Sequence, residues 1–274
     1  MRVYLSVDME GIAGISHPDP TNRADAGYGA AVELMVGEAN AAVEGALAAG
    51  ADEVVVNDSH GGMFNLPPER MNPAARLVQG QKPFSMVEAA REGDYDVALF
   101  VGYHARAGHP RGTIAHTYSG KPTLTTLNER PVGEYGINGL YLGALGVPVG
   151  LVTGDDALAE EVADWMPWAE RVVVKRAVGG HAADSLHPSR ARDLVREGAR
   201  RAVERARAGE LEPLVLEPPI RVALELSRPA QADYAAIAPG FRREGDRGVV
   251  YEAADATEAY RAFVTAVRLS GLVD

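Results

Sequence analysis

The sequence predicts an α/β protein: a mostly parallel sheet flanked by helices, with a smaller C-terminal α+β domain. Three observations predict it. Short β-rich runs alternate with helical patterns through the first two thirds of the chain, the order from which parallel sheets are wound. The first apolar run ends in a glycine-bearing loop and the second leads into Gly61-Gly62, as strands entering functional loops do. Beyond about residue 185 the texture changes to a charged, Arg-rich helix and a Pro-rich stretch, so the expected domains are 1–185 and 186–274.

The elements follow in order. Strand-like runs occur at Arg2 to Val7, Glu53 to Asn57, Val97 to Tyr103, Val147 to Thr153 and Arg171 to Lys175. An Ala-rich helix is predicted from about Ala30 to Ala49, ended by Gly50. Ser85 to Arg91 reads as a short helix, and Glu134 to Leu145 as another closed by Gly146. Thr123 to Leu127 is β-prone and leads into the turn signal Asn128-Glu129-Arg130-Pro131, so an inserted strand or hairpin is expected there. Pro188 to Ala208 opens on Pro and stops at Gly209, the asymmetry of a helix. A strand at Arg221 to Leu226 and a helix at Thr257 to Leu269 complete the tail.

Bulk properties exclude several classes. A net charge of −11 argues against nucleic acid or an anionic membrane as the main partner. The chain has no Cys, which removes disulfides, thiolate nucleophiles and Cys-based metal sites and leaves His and carboxylate to hold any metal. The first apolar run is interrupted by Asp8 and Glu10, too early for a secretory signal, and no segment has the roughly 18 to 20 apolar residues of a membrane span. A cytoplasmic protein is expected. Basic residues are overwhelmingly Arg, with Lys only at 82, 121 and 175.

The reactive residues collect at strand ends. Asp8 and Glu10, two apart on an extended chain, point to one side just beyond the first strand. Two adjacent carboxylates repel unless something positive lies between them. His60 follows Val54-Val55-Val56-Asn57-Asp58-Ser59, and His104 follows Phe100-Val101-Gly102-Tyr103, so both should emerge at the same sheet edge. Glu134 opens a helix, where the dipole favours a carboxylate. Singly, each has a structural explanation; together, in a chain without Cys, they point to a metal. Two divalent ions, three carboxylates and one hydroxide sum to zero charge, which favours a dinuclear site with a bridging carboxylate. Imidazole and carboxylate suit zinc, with manganese or cobalt as alternatives.

Five motifs then occur in register: Ser6-Val7-Asp8-Met9-Glu10-Gly11, Asn57-Asp58-Ser59-His60, Lys82-Pro83-Phe84-Ser85-Met86, Gly102-Tyr103-His104-Ala105-Arg106 and Arg130-Pro131-Val132-Gly133-Glu134. In this the chain resembles the D-aminopeptidases of the bacterial dipeptide operon, peptidase family M55, strongly over residues 1–175 and more diffusely beyond. The resemblance implies a dinuclear zinc enzyme, with two Zn²⁺ per chain, acting on short peptides with N-terminal D-residues such as D-Ala-D-Ala. It implies Asp8 (bridging), Glu10, His60, His104 and Glu134 as metal ligands, His116 as the catalytic residue, and a ring-like homodecamer. Sequence pattern alone does not select His116, which like His17 and His109 reads as a loop residue. His109, His181 and His187 are expected to be structural, and Asn57, Asp58, Arg106 and Asn138 are candidates to support the ligands. The expected reaction is hydroxide attack on the peptide carbonyl. Alternatives are another dinuclear amidohydrolase or phosphoesterase, or a catalytically silent metal- or peptide-binding protein. No G-x-G-x-x-G turn follows the first strand, which disfavours a dinucleotide-binding protein.

Overall fold

A computed structural model describes residues 1–273. The chain runs through β1 (Arg2–Val7), α1 (Tyr28–Ala48), β2 (Glu53–Asp58), β3 (Ala75–Val78), a 3-10 helix (Ser85–Glu92) and β4 (Val97–Val101). Next come β5 (Pro122–Leu127), β6 (Arg130–Pro131), α2 (Glu134–Ala144), β7 (Val149–Asp155) and α3 (Asp156–Trp165). They are followed by β8 (Glu170–Gly179), β9 (Ala182–Ser185) and α4 (Pro188–Arg207). The last stretch holds β10 (Ile220–Leu226), α5 (Pro229–Ala235), β11 (Arg242–Glu244), β12 (Gly248–Ala253) and α6 (Ala256–Ser270).

Seven strands form the main sheet in the order β3-β2-β1-β4-β7-β8-β9, parallel throughout except for the hairpin strand β9. The predicted α/β class is therefore the observed one. Side chains alternate along each strand. Val3, Leu5 and Val7 enter an apolar layer with α1 and α4, while Tyr4 enters a second layer shared with α2 and α6. The antiparallel sheet, in the order β11-β12-β10-β5-β6, closes that second layer through α6. The two sheets are built from interleaved stretches of chain: β5 and β6 pair into the second sheet from mid-sequence, and α4 lies against α1 and the main sheet. Among the described residues no helix is long and apolar enough to cross a membrane.

The expected elements at 2–7, 53–57, 123–127, 188–208, 221–226 and 257–269 are present within a few residues of their predicted ends. Two differ for local reasons. The run to Tyr103 ends as a strand at Val101, because Gly102 turns the backbone to φ +72°. Ser85–Glu92 is a 3-10 helix rather than an α-helix, entered through Ser85 at φ +48°. Elements β3, β9, β11, β12, α3 and α5 had no sequence expectation; β3, β9 and β11 have only three or four residues, which leaves little periodicity to read.

Register positions the chemistry. Val7 pairs with Asp58 of β2 and with Val101 of β4, so the three strands finish level. Strand order changes direction beside β1, with β2 on one side and β4 on the other. That crevice at the carboxyl edge is where open α/β sheets bind ligands.

Candidate metal centre

Asp8, Glu10, His60, His104 and Glu134 are all buried, and they converge on this crevice. The Asp8 carboxylate faces two ways. Its Oδ1 lies 3.2 Å from His60 Nδ1, and its Oδ2 lies 3.4 Å from His104 Nε2. On the first side Glu10 Oε2 is 2.9 Å from His60 Nδ1. On the second side Glu134 Oε1 is 3.4 Å from His104 Nε2. The result is two acid–imidazole pairs, Glu10 with His60 and Glu134 with His104, that share Asp8. Single donor atoms of Asp8, Glu10 and His104 lie within 4.8 Å of one another, as do those of His104, His116 and Glu134.

Each ring is fixed by a backbone carbonyl. His60 Nε2 donates to Thr21 O (2.9 Å), and His104 Nδ1 donates to Ala105 O (3.0 Å). This leaves Nδ1 of His60 and Nε2 of His104 facing the carboxylates, the arrangement second partners impose on metal-binding imidazoles. His104 Nε2 is buried without a hydrogen bond, since both carboxylates stand too far for one. A buried nitrogen left bare among carboxylate oxygens fits a cation.

The electrostatics agree. Burial raises the Asp8 carboxyl, but the His104 and His60 imidazoles outweigh it and hold it at about 2. Burial likewise opposes ionisation of Glu10 and Glu134, yet His60 and His104 respectively pull them below the usual carboxylate range. Burial disfavours charge on His60 and His104, but Glu10 beside one and Glu134 beside the other push both well above an ordinary imidazole. Without a metal the cluster therefore holds protons between its carboxylates and rings. A divalent cation held by these groups would displace those protons.

His116 completes the site from the loop between β4 and β5. Its ring stacks on His104 with centroids 4.1 Å apart at 14°. Nδ1 donates to Ile114 O (2.9 Å), leaving Nε2 free and 3.8 Å from Glu134 Oε1. The loop is held on both sides of His116. Thr113 N–H donates to Asp155 (2.8 Å), Ile114 N–H to Gly180 O (2.8 Å), and Tyr118 N–H to Glu134 Oε1 (2.5 Å). Ile114 and Tyr118 adopt the left-handed region, at φ +54° and +61°. Such backbone strain persists only where surrounding contacts impose it.

Met63, Ser85, Met86 and Tyr118 line the remaining walls of a cleft of about 120 Å³ over these groups. A larger groove of about 550 Å³ lies on the outer face of the antiparallel sheet. Its arginines pair with acids, Arg221 with Glu244 and Arg247 with Glu225, and it is lined by no histidine.

The four supporting candidates have other roles. Asp58 accepts the N–H groups of Asn65 and Leu66 and so shapes the loop after His60. Asn57 donates to Ser59 Oγ and Met86 O, Asn138 donates to Tyr103 Oη, and Arg106 pairs with Glu161. None of the four bonds to a ring nitrogen of His60 or His104, because Thr21 and Ala105 carbonyls take those places. His109 accepts the Gly112 N–H and His187 caps α4, both structural as expected; His181 stands edge-on to His17.

Residues without a sequence expectation also matter. Tyr118 ties Glu134 to the C-terminal unit, since its hydroxyl meets Asn138 (2.7 Å) and Tyr260 (2.8 Å). Lys175 and Glu38 reach the loop after β1 from β8 and α1. The one signal for the lysine was its rarity in an Arg-rich chain.

The D-aminopeptidase family model, peptidase M55, matches residues 1–265. A D-aminopeptidase of Bacillus subtilis (strain 168) is 36% identical over 274 residues, covering 98% of each chain. The solved structure of the Zn-dependent D-aminopeptidase DppA from Bacillus subtilis, described as a self-compartmentalizing protease, superposes with a TM-score of 0.94. That match is at 34% identity and covers 100% of this chain and 99% of that one.

Proposed function

Given that this chain belongs to the M55 D-aminopeptidase family, and so is a peptidase, we propose that it releases N-terminal D-residues from short peptides, D-Ala-D-Ala among them, with two zinc ions per chain. The proposed ligands are Asp8 as the bridge, Glu10 and His60 on one side, and His104 and Glu134 on the other. One observation carries the reading: the two oxygens of Asp8 face different histidines, each with its own second carboxylate.

Bound zinc supplies Lewis acidity, which makes water nucleophilic at neutral pH and polarises a carbonyl. The chain supplies the rest. Thr21 and Ala105 lock the two imidazoles in the tautomers that present a bare nitrogen. His116 offers Nε2 to the cleft as a proton acceptor, with its tautomer set by Ile114 O. It takes a proton as the carbonyl is attacked and returns it to the leaving amine. The small cleft suits a short substrate. We also propose a homo-oligomer, a decamer, in keeping with the self-compartmentalizing description of the DppA structure.

The test is metal analysis of purified protein together with hydrolysis of matched D- and L-peptides and a generic phosphodiester. The expected result is about two zinc ions per chain and turnover selective for the D-peptide. Less than about one ion per chain with no D-selectivity, or preference for the phosphodiester, rejects the proposal. His116→Ala should retain its zinc and lose about 10²–10⁴ in kcat. Zinc loss in that variant would make His116 a ligand instead.

A further inference from the structure

We propose that Lys175 and Lys82 are positioning residues for the metal centre: two buried ammonium groups that lock the backbone turns presenting Glu10 and His60. The inference rests on the metal reading above. Lysine is scarce here, three among 27 Lys and Arg residues, yet Lys175 and Lys82 are only 1% and 7% exposed. Both end at the carboxyl edge of the main sheet. Lys175 Nζ, from β8, donates to the carbonyls of Glu10, Ile12 (3.2 Å) and Ile15 (2.5 Å). Lys82 Nζ donates to Asp58 O (2.8 Å), the last carbonyl of β2 and two residues before His60.

Physical chemistry explains the choice of residue. The chain after β1 turns sharply, leaving carbonyls directed inward where no water reaches them. Unpaired buried carbonyls are costly, and a charged donor binds them more strongly than a neutral one. An ammonium has three donors on a single atom, which matches three carbonyls converging on one point. A guanidinium is a planar fork and cannot converge in this way. That distinction explains why a chain otherwise using Arg has Lys at 175. Glu38 of α1 grips the same turn from its other side by accepting the Ala13 N–H (2.8 Å). The carboxylates of the centre are thereby held at a fixed spacing before any cation arrives, so less ordering remains to oppose metal binding.

Lys175→Met and Lys82→Met keep side-chain length and remove the charge. Zinc affinity is measured by competition with a chromophoric chelator, and amide hydrogen exchange is followed in zinc-free protein. Each variant should bind zinc at least tenfold more weakly. Exchange should quicken over residues 9–15 in Lys175→Met and over residues 58–62 in Lys82→Met, with β10 and β12 unchanged. A lysine serving fold stability alone would lower the melting temperature and leave zinc affinity as it was. Folded variants with wild-type zinc affinity overturn the proposal. If Lys175→Met does not fold, the less deeply buried Lys82→Met decides by the same criterion. Wild-type protein that takes up no zinc rejects the metal reading instead, and the exchange data alone then decide on the clamp, wild-type rates in both variants overturning it.

Discussion

Asp8 sets the terms of the centre because its two oxygens serve different neighbours, His60 and His104. On the proposed two-zinc reading, Asp8→Asn should therefore weaken both sites together, whereas Glu10→Gln should weaken one. Zinc stoichiometry and stepwise affinity separate these outcomes, and loss of a single ion in Asp8→Asn would falsify the bridging role. At this scale the sequence was informative about side chains and silent about backbone. The five acids and imidazoles were legible because each follows an apolar run or opens a helix, and parallel strands bring such positions to one edge. The groups that orient the rings, Thr21 O and Ala105 O, carry no side-chain signature, so their role fell in expectation to Asn57, Asp58, Arg106 and Asn138. His116 was legible only through family resemblance, since a loop histidine reached by two left-handed residues has no periodicity to betray it.

Between elements, the ends of β1 and β4 touch backbone to backbone. A Cβ on Gly11 would stand 1.8 Å from Tyr103 O, and one on Gly102 would stand 2.3 Å from Asp8 O. Gly11→Ala must separate the strands that deliver Glu10 and His104. It should cost on the order of 3 kcal/mol in stability and reduce zinc uptake, as thermal unfolding and metal analysis would show. Helix α1 contributes a different effect through Glu38. Burial raises this carboxyl to about 7, against which the Ala13 N–H and Lys175 act only in part. Its folded pKa thus lies above its unfolded value, and the folded state holds the proton more tightly. Stability falls as pH rises from about 4.5 to about 7 and then levels off, by on the order of 3 kcal/mol. Glu38→Gln keeps an acceptor for Ala13 and removes that loss. The variant should gain melting temperature over the wild type at pH 8 and match it near pH 4; an equal gain at both would show that the charge was not responsible. Helices α1, α2, α4 and α6 were legible from capping glycines, prolines and composition, while α3 follows β7 directly, Asp155 ending the strand and capping the helix, so no Gly or Pro marks where it starts.

For the molecule as a whole, the proposed assembly predicts a solution mass near ten times that of one chain, measurable by light scattering. A monomer at micromolar concentration would reject the decamer. The parallel sheet was legible because strands and helices alternate in sequence, whereas the second sheet was only half legible, since β5 of the β5–β6 hairpin pairs with a strand nearly a hundred residues later. The hairpin lies between the segments bearing His104 and Glu134, yet its partner β10 and the Tyr260 that meets Tyr118 are made last. On the ribosome, a nascent chain can complete β1, β2 and β4 and still lack the support for its His116 loop. The Tyr118–Tyr260 contact that braces the far side of that loop can therefore form only once translation is nearly finished.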